Sequence, residues 1–105
     1  MGELSGNPVA VPDGYQSLAS LLGLTGSNVR LIEGFLQAQT SGVTLRFGDS
    51  TTPPTAAGGL TIAAGGAIGV GPVKESNAAW PLGRIWVRET ISSGGATISV
   101  LGVTA

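Results

Sequence analysis

The chain has 105 residues, 6 acidic and 5 basic, with a net charge of -1 and neither His nor Cys. Those counts exclude a Ser-His-Asp triad, a Cys nucleophile, a disulfide framework and the common His/Cys zinc sites, and five scattered cations make no basic stripe for nucleic acid. Gly reaches 18 residues, about 17% against roughly 7% in ordinary proteins, and charged residues are 10% against roughly 25%, which points to a small, weakly charged, turn-rich all-β domain.

In chain order, residues 1–14 read as an extended arm, with Val9, Ala10 and Val11 forming a short extended piece between Pro8 and Pro12. The arm lacks the basic and apolar regions of a secretory signal, so none is expected. Gly6 stands where a myristoylation motif needs Ser or Thr. Asp13 is placed as a helix N-cap, with Gln16 as its capping-box partner. Leu18, Leu21 and Leu22 follow at helical spacing, and Gly23 closes the turn, so the spacing predicts one short helix over 14–22.

Gly26-Ser27-Asn28 reads as a turn. Residues 29–39 are apolar on both parities, as in a central strand or an interface, and Gly34 within them marks a bulge or a close backbone approach. Thr40-Ser41-Gly42 then turns the chain into Val43–Phe47, where Val43, Leu45 and Phe47 alternate with solvent-facing Thr44 and Arg46. These two strands are expected to form a hairpin. The loop from Gly48 to Gly59 holds Asp49 and Pro53-Pro54 and cannot be a central strand. The low-charge stretch 50–73 is broken by those prolines and several glycines, so it is no transmembrane helix. Leu60-Thr61-Ile62 is a short strand. After the Gly65-Gly66 turn, residues 67–73 form another, with Ile68 and Val70 on one face and a bare face at Gly69 and Gly71. The last unit alternates Ile85, Val87 and Ile91 against Arg84, Trp86, Arg88 and Thr90. A loop of hairpin length at 92–95 leads to the return strand at 96–103, with Ile98 and Val100 in the core.

The expected architecture is therefore a small antiparallel, jelly-roll-like β-sandwich of five to seven short strands with one short helix, residues 15–105, preceded by the arm 1–14. No internal repeat is present.

Little in the sequence carries catalytic chemistry. Glu3, Asp13, Glu33, Asp49, Glu75 and Glu89 fall at no spacing that a strand or helix would turn into an acid/base pair. Asp49-Ser50-Thr51-Thr52 offers one carboxylate and hydroxyls, which suits a solvated turn better than a calcium loop. Lys74 follows Val73 and precedes Glu75, so the glycines before it make no phosphate loop. No cofactor, no metal and no membrane or nucleic-acid partner is expected.

Trp86 shares a strand face with Arg84 and Arg88, the residue pairing enriched at contact centres. Trp80, Tyr15, Val9 and Val11 complete the set of candidate interface residues. For the tryptophans, intrachain packing, a subunit or partner interface, and stacking on a ligand all remain open. With no disulfide, many glycines and few charges, a domain of this size is expected to self-associate.

The strand-and-turn pattern resembles small virion proteins of tailed bacteriophages, above all capsid decoration (cement) proteins and related head-fibre modules. The matching pieces are Leu31 to Ala38, Val43-Thr44-Leu45-Arg46-Phe47-Gly48, Gly59-Leu60-Thr61-Ile62-Ala63-Ala64-Gly65, Ile85-Trp86-Val87 and Thr97-Ile98-Ser99-Val100-Leu101, together with Tyr15 to Leu24. The resemblance implies a non-enzymatic β-sandwich, often trimeric, made in the host cytoplasm and carried on the capsid surface, where it binds the major capsid protein and holds capsomers together. It carries no active-site residues. The arm would dock on a neighbouring subunit, and many copies would act by avidity. A head-fibre, neck or tail-fibre module is the related alternative. A carbohydrate-binding module with Trp80 or Trp86 as stacking platform is the alternative from another class.

Overall fold

The computed structural model describes residues 2–24, 29–49, 51–54, 59–73, 79–92 and 94–105. Among these residues ten strands run in the order β1 (Gly2–Ser5), β2 (Val9–Ala10), β3 (Gln16–Ser17), β4 (Arg30–Gln39), β5 (Val43–Phe47), β6 (Leu60–Ile62), β7 (Ala67–Val70), β8 (Trp80–Pro81), β9 (Ile85–Glu89) and β10 (Thr97–Thr104). One helical turn, α1 (Leu18–Leu21), follows β3, and a 3-10 turn, Leu82–Arg84, precedes β9. The larger sheet has the order β1-β10-β4-β7, with β2 also on β10 and β8 also on β4; the smaller has the order β3-β9-β5-β6. All pairings are antiparallel. The molecule is a small all-β sandwich. Its strands outnumber the expected five to seven because the arm contributes two, and β3 and β8 are two-residue pairings too short to read from alternation.

The core lies between the sheets. Leu36, Ala38, Ile98 and Val100 point inward from the larger sheet, and Val43, Leu45, Ile85 and Val87 from the smaller; all are buried. Leu18 of α1 and Leu82 of the 3-10 turn close one end, fully covered. Burying these side chains is the main driving force of the fold.

The expected hairpins do not form. β4 lies in the larger sheet and β5 in the smaller, so Thr40-Ser41-Gly42 turns a corner between layers; Thr40 takes φ 72 there. The 63–66 and 90–96 connections cross between sheets in the same way. Backbone pairing explains the choice. β10 matches the long β4 from Thr97↔Gln39 to Thr104↔Leu31, and five-residue β9 matches five-residue β5 from Glu89↔Val43 to Ile85↔Phe47. Pairing long with long and short with short satisfies more backbone groups than sequential hairpins would.

Gly34 sits opposite Gly102. The close approach anticipated at Gly34 is real, while the irregularity in the ladder falls nearby, between Val103 and Thr104.

The arm is also corrected. Gly2–Ser5 pairs with β10 from Gly2↔Thr104 to Ser5↔Leu101, and Val9–Ala10 pairs with Ile98 and Thr97. Gly6 N–H to Val100 O (3.1 Å) and Val11 N–H to Ala96 O (3.0 Å) continue that ladder. β10 has a free edge in its own sheet, and the arm fills it instead of a neighbour's.

The helix is shorter than expected. Gln16 and Ser17 are in β3, paired with Val87 and Trp86, so the helix starts after them. Its N-cap is Ser17, whose Oγ accepts from Ser20 N–H at 3.2 Å, in place of Asp13. Gln16 Nε2 donates to Ser20 Oγ at 3.0 Å. The end is as anticipated. Gly23 has φ 74, and Leu24 N–H to Ala19 O (2.8 Å) with Gly23 N–H to Ser20 O (3.1 Å) make a Schellman closure.

Smaller corrections concern faces. Thr44 is buried, with its hydroxyl 2.9 Å from that of Thr90. Ile91 lies beyond β9 and is exposed, and Glu89 takes the buried position at its end. The strand expected over 67–73 stops at Val70. The turn expected at 26–28 lies outside the described residues.

Candidate functional site

Among the described residues, every buried side-chain nitrogen or oxygen has a hydrogen-bond partner, so no orphaned polar group inside the sandwich aims at a ligand. No three of His, Cys, Asp and Glu come together there as a metal cluster, and no described helix is long and apolar enough to cross a membrane. The features that remain are surfaces.

The outer face of the larger sheet carries one row of residues in register: Ser5 on β1, Leu101 on β10, Phe35 on β4 and Gly69 on β7. Phe35 is 55% exposed and Leu101 52%, side by side as Cα partners. Gly69 leaves room for the ring: a Cβ there would lie 3.5 Å from Phe35 Cε1. The bare face anticipated at Gly69 is thus the bed of Phe35. Beside the row lies a depression of about 350 Å³, bordered by Gln37, Gln39, Ser99 and Ala67 and by no charged residue. Gln39 Nε2 donates to Ser99 Oγ at 3.1 Å across it. Sequence alternation marks residues 29–39 as apolar on both parities, but it does not show that Phe35 and Leu101 become neighbours, because β4 and β10 are some sixty residues apart.

The outer face of the smaller sheet holds the expected Trp-Arg set, rearranged. Trp86 is only 7% exposed. Its indole N–H donates to Asp49 O at 2.8 Å, and a Cβ on Gly48 would lie 3.1 Å from its Cδ1, so the loop after β5 covers it. Trp86 is therefore a packing residue, not an interface residue. Arg84 is exposed and ties the same loop down, Nε to Gly48 O at 3.0 Å. Asp49 caps its own turn: Oδ1 accepts from Thr51 N–H at 2.8 Å, Thr52 N–H at 2.6 Å and Thr51 Oγ1 at 3.1 Å. The two backbone donors, with smaller help from the Thr51 hydroxyl and Arg84, hold its carboxyl below the ordinary 3.8. Arg88 lies 5.4 Å from the centroid of the Tyr15 ring and donates to Glu89 O at 3.3 Å. Arg46 is the Cα partner of Trp86 on this face.

Trp80 stands apart from that set, at one end of the sandwich. Its ring meets Phe47 edge-on, centroids 5.3 Å apart at 73°. The two border an open groove of about 370 Å³ with Leu60, Arg46 and Ile85. Val11 is a core residue, 3% exposed, and Val9 is half-buried against the core, so neither offers itself as a contact residue. Of the seven candidates, the structure unites Arg84 with Trp86 through Gly48 and Asp49 and Arg88 with Tyr15, and it leaves Trp80 with a partner the sequence did not indicate, Phe47.

Fold and surfaces together define a small antiparallel β-sandwich with exposed apolar side chains paired on one sheet face (Phe35, Leu101) and beside the Trp80 groove (Phe47, Leu60), and with Ile91 exposed apart from both. No protein-family model, curated protein or solved structure matches the chain.

Proposed function

We propose that this protein is a non-enzymatic structural component of a tailed-phage virion, a decoration protein that binds the outside of the shell formed by the major capsid protein and also self-associates. The part of this reading that the uncharged row of Phe35 and Leu101 on the larger sheet supports best is the self-association. Exposed apolar side chains that are contiguous and rimmed by polar residues, as this pair is by Gln37, Gln39 and Ser99, are the pattern of a contact surface. The interior, with its buried polar groups satisfied, suits a rigid part that works by contact. The sequence resemblance supplies the shell as partner and self-association as the mode of assembly.

The test is co-sedimentation with empty shells of the major capsid protein encoded beside this chain. Saturable binding and a higher disruption temperature of the decorated shell are expected. No binding at tens of micromolar protein overturns the reading.

A carbohydrate-binding role is the second reading, favoured by the groove at half-buried Trp80 and exposed Phe47, since an aromatic pair beside a cleft suits a sugar face. Oligosaccharides at millimolar concentration should then change the Trp80 fluorescence, and an unchanged spectrum removes this reading.

A further inference from the structure

We propose that the outer face of the larger sheet takes a second copy of this chain in a two-fold, face-to-face contact, with Phe35 and Leu101 at its centre and Glu33 over the partner's Gln37. The inference rests on the self-association in the reading above and not on the shell.

The area sets the strength. Four strands about 4.8 Å apart and some eight residues at about 3.3 Å each give a face on the order of 500 Å². Side-chain relief brings this near the roughly 600 Å² per partner of the smaller specific interfaces. Such a dimer is weak and concentration-dependent, yet sufficient where many copies act together.

Charge sets the orientation. Glu33 and Glu3 both pair with Val103, from β4 and β1, and lie at one end of the face, exposed. The other end carries Gln37, Gln39 and Ser99. A two-fold axis along β4 would set Glu33 against Glu33, and one between β4 and β10 would set it against Val103, which offers no side-chain donor. An axis across the strands, through the Phe35–Leu101 row, reverses the ends. Glu33 lies two residues before Phe35 and Gln37 two after, so this axis lays each carboxylate over an amide that can donate to it. The apolar row then lies over its own copy, as an isologous contact requires.

The other self-contacts are less suited. The two outer faces of a sandwich point in opposite directions, so stacking the larger sheet on the smaller builds an open column and never closes. On the smaller sheet the segment at Asp49 stands over Trp86, so two such faces do not meet flat.

The experiment is sedimentation equilibrium of the full chain from low micromolar to millimolar, beside Phe35→Glu, Gln37→Lys and Gln37→Glu. Urea midpoints confirm that each variant folds, as expected for side chains on an outer face. The wild-type mass should rise from monomer towards dimer. Phe35→Glu should stay monomeric throughout. Gln37→Lys should tighten association about fivefold at low salt, through two symmetric pairs with Glu33, and Gln37→Glu should weaken it. A three-fold mass, an unchanged curve for Phe35→Glu, or equal effects of the two Gln37 variants overturns the proposal. Shell co-sedimentation is read separately: shells that bind while Phe35→Glu leaves the mass curve unchanged overturn this contact alone, and dimers that form without shell binding uphold the contact and overturn the shell reading.

Discussion

Gly34 and Gly102 face each other across β4 and β10 so closely that neither position admits a side chain. A Cβ on Gly34 would lie 1.9 Å from Leu101 O, and one on Gly102 would lie 2.1 Å from Glu33 O. Backbone is rigid here, since both strands are held on either side. Gly34→Ala and Gly102→Ala should each destabilise the fold by about 3 kcal/mol or more, beyond ordinary overpacking. Gly83→Ala, which meets nothing within 4 Å, should stay within about 0.5 kcal/mol of wild type. Urea denaturation of the three variants checks this, and equal midpoints would show that the strands part easily.

The two tryptophans should separate spectroscopically. Trp80→Phe leaves Trp86, whose emission should be blue-shifted and shielded from iodide beneath Gly48 and Asp49. Trp86→Phe leaves half-buried Trp80, which iodide should quench more readily. Losing the indole bond to Asp49 O should also cost about 1 kcal/mol, read from the unfolding midpoint.

Asp49 gives a pH signature with a definite sign. Its carboxyl is held below 3.8, first by the Thr51 and Thr52 backbone N–H groups. A depressed folded value means that the ionised group stabilises the fold above the unfolded value, and that this stabilisation is lost as pH falls through the folded one. Asp49→Asn keeps an oxygen for both donors but no charge. The acid limb of the unfolding-midpoint curve, below about pH 4, should be shallower in this variant. An identical limb would contradict the arrangement.

Capping distinguishes the observed helix from the one that the sequence suggests. Ser17→Ala removes the acceptor for Ser20 N–H and should cost about 1 kcal/mol. Gly23→Ala forces φ 74 on an L-residue at about the same cost. Thermal melts of both variants test these values, and a neutral Ser17→Ala would return the cap to Asp13.

The strands themselves were largely legible: 43–47, 60–62 and 85–89 are strands as the sequence suggests, although Thr44 and Trp86 on their outward positions are buried and Phe47 is exposed. Gly34 and Gly23 were legible too, because a backbone that needs closeness or a positive φ selects glycine locally. Other features were not. Leu18, Leu21 and Leu22 suggested a helix from residue 14, but Gln16 and Ser17 gain more from β9 than from another helical turn. Trp86 has the alternation of an outward residue and is buried all the same, because Gly48 and Asp49 lie over it, and strand period says nothing about loops.

What the sequence by itself determined, then, is a charge-poor, glycine-punctuated β chain with its apolar sides assigned at most strand positions, since side-chain alternation is a property of the strand alone. Only the tertiary structure decided which strands pair, that short connections cross between the sheets, that the arm lies on its own β10, and that Phe35 meets Leu101 on an open face. Backbone N–H and C=O groups are the same in every residue, so strand partners are chosen by matching lengths and a shared core, both of which exist only once the whole chain has folded.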